Sequence, residues 1–190
     1  MEATETKLLS PIAEWFPMRI AYGREERVIA IKDYLDTLSI ENFLPMQRKA
    51  EEVNGHVKYM LRPAINNLIF IHATRETISD LKHTRKQLFP LRYMMWHPTV
   101  NKQPTIISIP NYQMENFMRV ASVQDDRIMF FQDKDFSHKI GRRVKITDGI
   151  FKDVEGIVCR VKKDRRVVVS LAGVASIAIS YISPNLLEEI

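Results

Sequence analysis

The chain has 190 residues, 45% of them hydrophobic and 27% charged, the composition of an ordinary globular protein that can bury a core as one large domain or two small ones. No run approaches the ~20 apolar residues of a membrane span, and Met1-Glu2-Ala3-Thr4-Glu5-Thr6 is not a basic stretch leading into an apolar one, so a cytoplasmic chain without a membrane partner is expected. The net charge of +5 and a pI near 9.3 fit a nucleic-acid partner without requiring one, and the single Cys159 excludes an internal disulfide and reads as a buried, inert thiol in a strand.

Trp15-Phe16-Pro17-Met18-Arg19-Ile20-Ala21-Tyr22 alternates as a strand does and is ended by Gly23. From Arg24 onward, Val28, Ile31, Leu35 and Leu38 recur every three or four residues, which predicts an amphipathic helix ending near Ser39, with Glu25, Lys32 and Asp36 on its wet face. Residues 40–46 read as a strand entering a hairpin whose tip is the turn dipeptide Asn54-Gly55, with a return arm from Val57 to Met60. Leu68-Ile69-Phe70-Ile71 is apolar throughout, as a central buried strand must be. Thr74 to Arg85 is a second helix with Ile78 and Leu81 inward, and Leu91 to Trp96 a further strand. After Pro110, the residues Met114, Phe117, Met118 and Ala121 form the stripe of a third helix. Alternating strands and helices of this kind predict an α/β sandwich over residues 12–123.

Residues 124–139 are read as a linker, with Asp125-Asp126 and Asp133-Lys134-Asp135 flanking an apolar centre, Ile128-Met129-Phe130-Phe131, that docks on one domain or the other. Beyond it, Val144 and Ile146 alternate with Lys145 and Thr147, and Gly149 and Gly156 stand where the backbone must turn or approach closely. The runs Val167-Val168-Val169 and Ile177-Ala178-Ile179 follow the charged tip Lys162-Lys163-Asp164-Arg165-Arg166. Four or five short strands in residues 140–190 predict a small curled barrel. His56, His72, His83, His97 and His138 lack metal-ligand spacing, and there is no phosphate-binding loop, dinucleotide fingerprint or nucleophile elbow. Neither a metal, a cofactor nor an enzymatic activity is expected.

The segment from Arg142 to Val158 has the pattern of a KOW module. Together with Trp15-Phe16, a Gly-Arg-Glu-Glu helix start, Phe43-Leu44-Pro45 and the stretch Pro63 to Ile71, it makes the chain resemble NusG and its specialised paralogs over nearly its whole length. Within that group, Pro90-Leu91-Arg92-Tyr93-Met94-Met95, Ile109-Pro110-Asn111-Tyr112-Gln113-Met114 and Tyr181-Ile182-Ser183-Pro184-Asn185-Leu186-Leu187-Glu188 look most like the UpxY-type factors of Bacteroides relatives, which are associated with surface-polysaccharide operons. The resemblance implies an α+β protein: a NusG-type α/β sandwich that binds the clamp helices of the largest RNA polymerase subunit, then a mobile KOW β-barrel that contacts other partners.

The clamp-helix pocket of the family centres on a Pro-x-Phe-Pro-Gly-Tyr segment, matched here by Pro63-Ala64-Ile65-Asn66-Asn67-Leu68, in which asparagine can replace the turn residues. By this resemblance Ile65, Asn67, Leu68, Phe70 and Phe16 are the polymerase-binding candidates. A Thr-Arg pair after the second helix reaches the displaced non-template DNA strand in specialised paralogs; Thr84-Arg85 occupies that place, with Arg24, Arg27 and Lys86 extending a basic face toward DNA or nascent RNA. The His-Thr-Thr contact with the polymerase gate loop has no literal match, since Thr77-Ile78-Ser79 lies there. In the KOW module Asp153 stands where glycine is favoured, and Ile150 and Phe151, at an exposed turn, are the candidates for contact with the ribosomal protein NusE. The expected activity is that of a monomeric elongation and antitermination factor. A housekeeping NusG with a termination role and a ribosome-associated KOW protein that binds RNA are the alternatives, and the long domain before the barrel argues against the latter.

Overall fold

The computed structural model describes residues 12–98, 103–132, 141–161, 163–171 and 173–190. Residues 1–6, the acidic flank Asp133-Lys134-Asp135, His138 and Lys162 lie outside these. The N-terminal part is built on an antiparallel sheet of four strands, β1 (Glu14–Ile20), β2 (Asn42–Phe43), β5 (Leu68–Ala73) and β6 (Leu91–Tyr93), in the order β2-β5-β1-β6. Because side chains alternate along a strand, β5 sends Ile69, Ile71 and Ala73 to one face and Leu68 and Phe70 to the other. The first face is covered by α1 (Glu25–Thr37) and α2 (Arg75–Thr84) through Val28, Ile31, Leu35 and Ile78. The second is covered by α3 (Asn111–Ala121) through Met114, Phe117, Val120 and Ala121.

Local chemistry explains most boundaries. Acidic Glu25 and Glu26 occupy the first turn of α1, where the helix dipole favours negative charge. Thr74 caps α2, its Oγ1 accepting a hydrogen bond from the Thr77 backbone N–H at 3.1 Å. The hairpin of β3 (Met46–Val53) and β4 (His56–Pro63) turns at Asn54 and Gly55, whose φ values of 54° and 76° are both positive, as its tight turn requires.

Two expected strands are each divided. The one read through residues 40–46 is broken at Leu44-Pro45, where proline has no N–H for a ladder; β2 stays on the main sheet and β3–β4 forms a separate ribbon. The one read over 91–96 changes partner at Met94: β6 pairs with β1, whereas β7 (Met95–Trp96) pairs with β8 (Thr105–Ile106).

The C-terminal part is a six-stranded antiparallel sheet. Its strands are β9 (Ile128–Gln132), β10 (Arg142–Ile146), β11 (Glu155–Val161), β12 (Asp164–Leu171), β13 (Ala175–Ser180) and β14 (Leu187–Glu189), in the order β14-β10-β11-β12-β13-β9. The apolar centre of the segment read as a linker therefore docks on the C-terminal part, as strand β9 paired from Ala175↔Gln132 to Ile179↔Ile128. The charged tip is shorter than the sequence implies, since Asp164, Arg165 and Arg166 already belong to β12. Cys159 is buried in β11.

Gly156 faces β12 so closely that a Cβ there would stand 2.7 Å from Val167 Cγ1 and 2.8 Å from the Val168 carbonyl oxygen. The second neighbour is backbone in a paired strand and cannot yield. Gly156→Ala should therefore cost about 1–3 kcal/mol of stability, as overpacking does. A urea titration of the full chain followed by circular dichroism checks this, and an unchanged midpoint refutes the close-approach role.

Candidate functional site

The five candidates for the polymerase surface are not an open patch. Ile65, Leu68 and Phe70 are each at most 2% exposed, and Phe70 packs against Phe117 of α3 at 5.6 Å and Phe43 at 6.4 Å between ring centroids. Phe16 lies apart from them on the opposite face of the sheet, edge-on to Tyr93 at 5.6 Å, with the Arg75 guanidinium 5.9 Å from its ring centroid. Asn67 serves the fold itself. At φ 57° it takes the turn conformation asparagine tolerates, and its carbonyl accepts a hydrogen bond from the Ile20 N–H at 2.9 Å. Its Oδ1 also occupies the space beside Gly23, 2.7 Å from where a Cβ there would stand.

The reason for the burial is one continuous apolar cluster. It runs from Trp15, Ile65, Leu68 and Phe70 through Met114, Phe117 and Val120 to Phe151, Val154, Val167, Val169 and Ile177 of the C-terminal sheet. Helix α3 packs on β1 on one side and on β12 and β13 on the other. Phe151, expected on an exposed turn, is only 2% exposed and lies under the Arg127 guanidinium, 5.4 Å from its ring centroid. Its neighbour Ile150 is 57% exposed, so the turn divides one buried and one open side chain.

The seam between α3 and the β domain is held by directional bonds. Asn116 donates from Nδ2 to the Glu155 carbonyl at 2.7 Å and accepts at Oδ1 from the Glu155 N–H at 3.0 Å. The β11–β12 register begins only at Ile157↔Val168, so Glu155 lies beyond the ladder and the Asn116 amide stands in for a missing strand. Nearby, Arg119 donates from Nη1 to the Lys152 carbonyl at 3.2 Å, and Lys145 pairs with Asp153 at 2.9 Å. That hydrogen bond holds the Asp153 carboxyl below the usual range, against the opposing effect of burial. Asp153 has φ 66°, the left-handed conformation that aspartate adopts where glycine is usual. A groove of about 350 Å³ follows the seam, lined by Gln113, Asn116, Arg119, Asp153, Glu155 and Val168 among others. Sequence reasoning missed Asn116, because a polar residue on a helix gives no sign of which backbone it will meet.

The basic candidates come from three segments that the fold draws together. Arg24 precedes α1, Arg27 lies in its first turn, and Thr84, Arg85 and Lys86 span the end of α2 and the 3-10 turn Lys86–Leu88. Helix α1 packs on that turn, and the Ala21 N–H donates to the Pro90 carbonyl at 2.9 Å. Thr84 Oγ1 donates to the Asp80 carbonyl at 2.9 Å, a bond internal to the helix. Glu25 is directed away, toward Lys49 at 3.4 Å and Arg62 at 3.7 Å on the β3–β4 ribbon. The side chains of Arg24, Arg85 and Lys86 have no ion-pair partner among the described residues. Lys82 and Arg92, which the sequence reading left out, belong to the same cationic surface: burial, and then the charge of Arg92, lower the Lys82 pKa. No group of three His, Cys, Asp or Glu side chains that could hold a metal occurs among the described residues, and no helix there is long and apolar enough to cross a membrane.

Among solved structures, the chain is similar to that described as "Domain interaction in Thermotoga maritima NusG", at 13% sequence identity, covering 94% of this chain and 97% of that one with a TM-score of 0.43. No curated protein matches. The family model described as "Transcription termination factor nusG" matches residues 13–118, more than half of the chain, across the N-terminal sheet, α1 and α2 and into α3. The chain belongs to the NusG family of transcription factors, whose members bind RNA polymerase.

Proposed function

We propose that this protein is a transcription elongation and antitermination factor that binds the clamp helices of the largest RNA polymerase subunit and suppresses pausing or termination. The observation that carries the reading is the apolar cluster shared by the sheet, α3 and the β domain. A soluble helix needs one apolar face; α3 has enough apolar surface to be covered on two sides. The surface bounded by Ile65, Ile109, Met114 and Phe117 has the aliphatic and aromatic character that an incoming pair of helices can replace. In this reading the β domain covers that surface in the free chain and polymerase takes its place. Leu68 and Phe70 then shape the pocket from beneath α3, and Phe16 supports the sheet from its other face.

No bond is made or broken in this function. Binding acts by favouring the elongating polymerase over its paused state, which requires only different affinities for the two. The basic surface of Arg24, Arg27, Thr84, Arg85 and Lys86 meets displaced non-template DNA or nascent RNA. The released β domain, a KOW module, offers Ile150 and Phe151 to a second partner such as NusE. The three UpxY-like segments support a specialised role at surface-polysaccharide operons.

Asn116→Ala removes two hydrogen bonds to the Glu155 backbone that exist only while the seam is closed. That change should disfavour the closed form by about 1–3 kcal/mol. If polymerase binds the open form, its apparent affinity for the full chain should rise by about tenfold. A binding titration with core polymerase checks this; unchanged or weaker binding by a folded variant would contradict the covering role of the β domain.

Arg85→Ala should weaken association with a polymerase complex assembled on a nucleic-acid scaffold and leave binding to free polymerase intact. Its salt dependence should fall by about one phosphate contact. Equal losses with and without the scaffold would instead assign Arg85 to the polymerase contact.

A further inference from the structure

Strand β1 ends at Ile20, and two residues later Tyr22 stands 93% exposed with φ 53°, a left-handed conformation that is costly for an aromatic residue. The side chain buries almost nothing that offsets this. The surroundings nevertheless fix the loop: Gly23 N–H donates to the Ile20 carbonyl at 3.2 Å, and Arg27 Nη1 reaches the carbonyls of Ala21 at 3.4 Å and Tyr22 at 3.2 Å. A strained residue held this firmly, with its ring in water, points to a role outside the fold.

A second aromatic stands at the corresponding end of the neighbouring strand. The β1–β6 register runs Met18↔Tyr93, Arg19↔Arg92, Ile20↔Leu91, and the bond from Ala21 N–H to the Pro90 carbonyl carries it one step further. Tyr22 and Phe89 are the residues that flank this bond, in the turns just beyond the two strands. Phe89 is 48% exposed, while the Arg92 guanidinium donates to its carbonyl and fixes its backbone. The surrounding side chains are cationic: Arg24, Arg27, Arg85, Lys86, Arg92 and Lys82. A protein partner would have to bring a matching set of carboxylates, whereas a nucleic-acid strand carries both the negative charge and the flat faces that rings stack upon. A duplex hides its base faces.

We infer that Tyr22 and Phe89 are base-stacking positions that make the cationic surface selective for single-stranded nucleic acid over duplex. The inference rests on the proposed nucleic-acid role of that surface and adds the residues and the strandedness. Phosphates are held by the arginines and lysines, and successive bases lie on the two rings at the end of the sheet. Stacking carries little sequence preference and little salt dependence, so the two kinds of contact separate experimentally.

The test is fluorescence anisotropy with the full-length chain and three labelled probes, a thymidine dodecamer, a uridine dodecamer and a DNA duplex of the same length, each at several salt concentrations. The wild-type chain should prefer the single strands, and comparison of the two dodecamers tells DNA from RNA. Tyr22→Ala and Phe89→Ala should each weaken single-strand binding by about tenfold, with duplex affinity and salt slope unchanged. Tyr22→Phe should bind as wild type, as should Tyr181→Ala, which removes a 76% exposed ring from the β domain. Arg85→Ala should weaken all probes and lower the slope. If Arg85→Ala has its effect and the two aromatic variants bind single strands as wild type does, stacking is overturned and the nucleic-acid surface stands. If the wild-type chain prefers duplex, the strandedness is overturned. If it binds none of the probes, or if Arg24→Ala and Arg85→Ala change nothing, the nucleic-acid role of the surface fails, and the inference with it.

Discussion

Phe117 lies between two sheets. On one side it packs on Phe70 of the N-terminal sheet, and on the other its helix rests against β12 and β13, within an apolar cluster that crosses from one half of the chain to the other. Removing either sheet would leave apolar surface of α3 in water, at roughly 25 cal/mol for each Å² exposed. The two halves are thereby joined by a non-directional attraction, and the orientation is set by the few polar bonds at its rim, chiefly the Asn116 amide on Glu155.

This arrangement gives the seam a character between a core and an interface. Its centre is as dry as the interior of either half, with Phe151 and Val154 almost fully buried. Its edge is polar and grooved, with Arg119, Asp153, Lys145 and Glu155 at the surface. An apolar centre can exchange one apolar partner for another at small net cost, whereas the asparagine bonds are specific to this one arrangement. In the proposed function, a binding surface covered in this way is protected from non-specific association and is released only to a partner that replaces the lost burial.

The cationic surface is built on a different principle. Its members share no core; they are brought together because β1 and β6 are neighbours in the sheet and because α1 packs on the turn after α2. Glu25 is held by Lys49 and Arg62, which keeps a carboxylate from neutralising Arg24 and Arg27. Glu26, the other acid in the first turn of α1, also acts on Arg62, so the positive charge is a product of topology and of where the acids of α1 are drawn, and the net charge of +5 gave no indication of where it would gather.

The amino-acid sequence by itself determined which segments form strands and helices and where the chain turns. Period-two alternation marks β1 and β10, three-and-four spacing marks α1 and α3, and Asn54-Gly55, Asn67 and Asp153 mark backbone that needs a left-handed residue. These are local properties, fixed by the geometry of a single strand, helix or turn. It also carried the segments by which the family is recognised, and the apolar centre of residues 124–139 as a docking element. What it left undecided is which surface covers which. Apolar side chains record that they avoid water but not what they meet, so Ile65, Leu68 and Phe151 could be read as open contacts until the β domain was seen against α3. The strand that changes partner at Met94, the strand made from the supposed linker, and the asparagine that completes another half's ladder are all long-range pairings of backbone groups. Only the tertiary structure decides these, because every peptide unit offers the same donor and acceptor, and the choice among them is made by the packing of the whole chain.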